Sequence, residues 1–246
     1  MAISILTSAY AELAPPSPAP MAPARAAGVD PFEAGAGRRQ TAREEQLNAL
    51  SHGLGFVGTA AAWPILSDLA GQHRGPLAVL GIAVFCLTAM LVYAASMAYH
   101  ALPPGRAKQW ARRGDHAAIF LFIAGSYTPF ALGPLLDTVG PQVLAGVWSL
   151  AAVGAGCKVL GRLRHRVGST LLYGAMGWVA VALLDPLSAR LAPDAVALLL
   201  AGGAAYTVGV LFFLFDHRLR YGHFVWHLFV LGGSTCHVLA AVGPAA

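Results

Sequence analysis

The chain has 246 residues, of which 57% are hydrophobic and only 11% charged, against about 25% charged in an average soluble domain. With a mean hydropathy of +0.62, an ordinary soluble domain is excluded. The net charge of +5 would suggest nucleic acid in a soluble protein, but here the basic residues lie in short stretches between apolar runs, so they carry topology and no nucleic-acid partner is expected.

Residues 1–43 are rich in Ala, Pro and Gly and have no sustained period; they read as a flexible tail before a membrane domain over 44–246. The apolar start, Ile3 to Leu6, is too short for a signal-peptide core and follows no basic residue, so secretion is not expected. Seven apolar segments follow, at 47–70, 76–102, 114–136, 141–160, 168–188, 194–215 and 222–242. Each is near the ~20 residues that cross ~30 Å of hydrocarbon. In lipid, backbone groups must pair internally, so the segments form helices or a closed barrel. Runs such as "LAVLGIAVFCLTAMLVYAASMAYH" lack two-residue alternation, which selects helices. The expected fold is therefore all-α, a seven-transmembrane helix bundle.

Orientation follows from Lys and Arg. Fourteen of the sixteen fall in the tail and the loops after the second, fourth and sixth segments; only Arg74 and Arg190 lie on the other side. The N-terminus is expected in the cytoplasm and the C-terminus outside the cell membrane. Small residues in "GLGFVG", "AVGAGC" and "LAGGAAY" permit close helix contact. Pro64, Pro129 and Pro186 are expected to kink or end their helices. Cys86, Cys157 and Cys236 show no CxxC spacing and read as buried thiols rather than disulfides.

This topology places polar residues by depth. Glu45, Asn48 and His52 open the first segment; Ser96 and His100 close the second; Asp115 and His116 open the third; His223 and His227 open the seventh. Apart from His116, which reads as a packed or loop-facing histidine, they share one layer in the cytoplasmic half. His237 lies ten residues beyond His227, ~15 Å further along a helix, and belongs to another layer. Polar groups clustered in lipid need mutual satisfaction or a metal. Three imidazoles with one open position are the form of a catalytic zinc site, and His223 and His227, one helical turn apart, share a face. The expected ligands are His100, His223 and His227, with Ser96 and Asp115 beside a reacting water. Glu45, Asn48 and His52 are candidates for hydrogen bonding behind the ligands. Glu45 also reads as a first-turn carboxylate suited to a helix dipole. His52 also reads as a spare ligand, a substrate contact or a bridge to Asn48. His73, His165 and His217 read as solvated loop residues.

The motifs "EEQLNALSHGLG", "SMAYH", "RRGDHAAIFLFIAGSYTPF" and "HFVWHLFVLGGSTCH" resemble, in order, signatures of the hemolysin III family, the bacterial branch of the progestin and adipoQ receptor family. "YGAMGW" and "GGAAYTVGVLFF" also fit. The resemblance covers about residues 44–242. It implies seven helices with the N-terminus inside, and zinc on His100, His223 and His227 with Ser96 and Asp115 nearby. Relatives that cleave ceramide imply a zinc-dependent hydrolase of a lipid-like amide or ester, with membrane lipid as substrate and no soluble protein partner, in a bacterial inner membrane. The competing expectations are a non-enzymatic cytolysin, channel or sensor with a structural zinc, and a helical membrane protein whose histidines only bond one another.

Overall fold

The computed structural model describes residues 38–243, so most of the expected flexible tail at 1–43 lies outside the described residues. The regular elements within that range are helices: α1 (Ala42–Arg74), α2 (Pro76–Ala101), α3 (Arg106–Leu132), α4 (Gly140–Val159), α5 (Arg166–Ser188), α6 (Pro193–Phe215) and α7 (Gly222–Val242). α5 is α-helical to Trp178, tightens to a 3₁₀ helix over Val179–Leu183, and resumes over Leu184–Ser188.

Local chemistry sets the helix ends. Thr41 caps α1 in a capping box with Glu44, which satisfies two orphan donors of the first turn. α2 and α6 begin on prolines and α4 has Pro141 as its second residue; the fixed φ of proline suits the first turn. Gly75, at φ 81°, makes the abrupt turn from α1 into α2. Pro64 and Pro129 lie inside α1 and α3 and do not end them. The expected loop position of His73 is corrected: it sits in the last turn of α1 and bonds the Val242 carbonyl at 2.8 Å, joining the ends of α1 and α7.

Among the described residues, six helices are long and apolar enough to cross a membrane: α1, α2, α4, α5, α6 and α7. The third expected segment lies in α3, which has 27 residues, a basic opening turn and a polar stretch at Ser126–Pro129. Several of its apolar side chains, among them Phe120, Phe122 and Phe130, are buried inside the bundle. The chain winds α1–α2–α3–α4 through consecutive neighbours; α7 packs on α6 and closes against α1, touching α2 and α3. α5 rests more lightly on α3 and α6. α2 and α3 approach closely because Gly81 faces the Pro129 backbone and Gly125 faces Thr88, leaving no room for a Cβ. This interleaving brings the starts of α1, α3 and α7 and the end of α2 to one end of the bundle.

Candidate metal centre

Three helices build the centre, each with residues one turn apart. α1 offers Glu45, Asn48, Ser51 and His52; α2 offers Ser96 and His100; α7 offers His223 and His227. Buried anchors fix the start of α7. Glu44 accepts hydrogen bonds from both Arg38 guanidinium nitrogens at 2.6 and 2.7 Å and from the Thr41 backbone at 2.9 Å. It also accepts from the Tyr221 N–H at 2.8 Å. Tyr221 holds φ at 60°, a left-handed conformation costly for a side chain of its size. The Glu44 bond secures that bend, which aims His223, two residues on, into the bundle. The Arg38–Glu44 hydrogen bonds raise the Arg38 pKa above its ordinary value.

His100, His223 and His227 converge. Their ligand atoms all lie within 4.8 Å of one another, and their ring centroids are 4.7–5.2 Å apart. Each ring is oriented through Nδ1. His100 Nδ1 donates to Glu45 at 2.7 Å, and His223 Nδ1 donates to Asp216 at 2.8 Å. His227 Nδ1 lies 3.0 Å from Ser51 Oγ and 3.2 Å from the Asn48 carbonyl. Asn48 Nδ2 also lies 3.5 Å from His100 Nδ1, but a nitrogen that donates to Glu45 cannot accept from Asn48, and the shorter contact decides. Nε2 is thereby left to point inward, and on His100 it is buried without a hydrogen-bond partner. Imidazoles held by acceptors at Nδ1, with Nε2 free, are the usual preparation for a metal. The donor set fits a borderline ion such as zinc.

Supporting groups extend outward. Glu45 also pairs with Lys108 at 3.0 Å. Asp216, just past the end of α6, pairs with Arg166 at 2.6 Å. Burial alone would raise the Asp216 pKa; the His223 hydrogen bond and the Arg166 charge outweigh it and hold the carboxyl below its ordinary value.

Of the expected residues, Glu45 and Asn48 stand directly behind the triad. His52 does not join it: it stacks on His227 at 3.6 Å, lies 5.1 Å from the Tyr93 ring, and keeps both ring nitrogens buried and unpartnered. Ser96 is buried one turn from His100, and the buried Asp115 lies beside Ser96. His237 is separate, with Nε2 3.3 Å from the Leu199 carbonyl. Sequence reasoning missed Ser51 and Asp216. Ser51 follows Asn48 by one turn, and Asp216 precedes His223 by seven residues across a tight turn; a search for acceptors near the histidines could have found both.

The family pattern described as haemolysin-III related matches residues 40–238. Hemolysin-3 of Bacillus cereus is 39% identical over 196 residues, covering 80% of this chain and 89% of that protein. The hemolysin-3 homolog of Bacillus subtilis (strain 168) is 36% identical, covering 79% and 91%. The human monocyte to macrophage differentiation factor is 30% identical over 130 residues, about half of each chain. No solved structure matches the chain.

Proposed function

The chain belongs to the haemolysin-III-related family, and we propose that this multi-pass membrane protein is a zinc-dependent hydrolase of a lipid-like amide or ester. The proposal includes seven spans, with α3 as the seventh, the N-terminus in the cytoplasm, and a bacterial inner membrane as its location. The observation that carries it is the convergence of three imidazoles from α2 and α7, each tied at Nδ1 with its ligand atom turned to one point.

His100, His223 and His227 would hold the zinc, which supplies Lewis acidity that polarises a carbonyl and acidifies water. Glu45, Asp216 and the Asn48 carbonyl keep the rings in the donor tautomer and fix their tilt. Asp115 takes the proton of the attacking water; HFVWH lacks the glutamate that performs this task in soluble HExxH enzymes. Ser96, beside Asp115 and one turn from His100, orients the attacking water or stabilises the developing oxyanion. Water oxygen adds to the carbonyl carbon, the bond to the leaving nitrogen or oxygen breaks, and the proton on Asp115 passes to the leaving group.

Two measurements test this. The purified protein should carry about one zinc per chain, lost in His227→Ala; absence of metal from the wild type sinks the centre. Labelled ceramides should be cleaved by the wild type and at least about 100-fold more slowly by Asp115→Asn, the scale of general-base catalysis. The second reading is a metal clamp between α2 and α7, favoured by His52 covering one face of His227. It predicts bound zinc with no turnover of ceramides.

A further inference from the structure

Beside the Asp216–Arg166 pair that supports His223, the ends of α4 and α5 hold a buried lysine and a recess that the hydrolytic reading does not use. Lys158, in the last turn of α4, is 5% exposed. Its ammonium donates to Ser169 Oγ at 2.7 Å and makes no ion pair among the described residues. A cation removed from water with only a hydroxyl beside it calls for an anion. Arg166, at the start of α5, has a buried Nε without a hydrogen-bond partner. Both residues line a recess of about 10 Å³, shared with His116, Ser169, Thr170 and Tyr173. That is room for one oxygen, not a whole phosphate.

Thr170 also lines a second space, a groove of about 280 Å³ between α5 and α6. Its walls are apolar: Val167, Leu171, Ala175 and Trp178 from α5, Val210 and Leu214 from α6. From Val167 to Trp178 the groove runs ~16 Å along the helix, about half of a ~30 Å hydrocarbon core. It thus matches the depth of one leaflet, with the cationic recess at its polar end. Gly174 faces this open space, where a Cβ meets nothing within 4 Å.

We propose that α4, α5 and α6 bind an anionic phospholipid, with one acyl chain in the α5–α6 groove and one phosphate oxygen in the recess between Lys158 and Arg166. Charge complementarity and the joining of the two spaces at Thr170 select this occupant. The remaining phosphate oxygens stay at the mouth, where the other Lys158 and Arg166 donors reach them.

The test is native mass spectrometry of the full chain in detergent, with phosphatidylglycerol or phosphatidylcholine of identical acyl chains. Phosphatidylglycerol should be retained in preference, because choline adds a cation beside Lys158 and Arg166. Lys158→Gln should weaken retention about five- to tenfold, the loss of one basic headgroup contact. Gly174→Phe should weaken it similarly by filling the groove, with thermal stability unchanged; it carries the test if Lys158→Gln does not fold. Equal retention of the two lipids overturns the proposal, as does retention indifferent to both substitutions. Full displacement by inorganic phosphate also overturns it and assigns a free-anion site instead.

Discussion

An imidazole can serve a metal only if one nitrogen is deprotonated and aimed, and in this protein the aiming is done by acceptors at Nδ1. Glu45 performs it for His100 and Asp216 for His223, at 2.7 and 2.8 Å. Glu45→Gln and Asp216→Asn should each weaken zinc affinity about 10- to 100-fold, read by competition with a calibrated chelator. His237→Gln, in a separate layer, should leave affinity unchanged. Ser51 and Asp216 were not legible as site residues from sequence, because their roles depend on which neighbouring helix their side chains meet. Tyr221 offers a backbone test. At φ 60° glycine relaxes what a β-branched residue worsens, so Tyr221→Val should destabilise by about 1–3 kcal/mol. Tyr221→Gly should be neutral or stabilising in thermal melts.

At the scale of elements, glycine means opposite things on different helix faces. Gly125 of α3 faces Thr88 of α2 with no space for a methyl group. Gly125→Ala should therefore push the helices apart, at about 1–3 kcal/mol. Gly146 of α4 faces open space, so Gly146→Ala should stabilise by about 0.5–1 kcal/mol through helix propensity. Melting temperatures of the two variants in one detergent should move in opposite directions. Sequence periodicity could not separate these glycines, since both sit in apolar helices and only the neighbour distinguishes them. The 3₁₀ stretch at Val179–Leu183 was equally hidden: "VAVAL" is a good apolar run whose tightening depends on its surroundings.

At the scale of the whole molecule, a metal on His100, His223 and His227 would tie α2 to α7. Removing it with chelator should lower the melting temperature of the wild type, by about 2.7 kcal/mol of linkage where free zinc stands at 100 times Kd. His227→Ala should show no such chelator effect. By itself the sequence determined the helical class, most segment boundaries to within a few residues, the family, and a short set of polar residues at one depth. These properties follow from hydrophobic runs, charge bias and motif order, all local along the chain. Only the tertiary structure decided that His52 stacks beside the triad rather than joining it, that Ser51 and Asp216 contact the triad's Nδ1 atoms, and that Lys158 lies buried beside an apolar groove. Those outcomes depend on helix rotation and on which faces meet, which side-chain packing between distant segments sets and residue spacing within one segment does not.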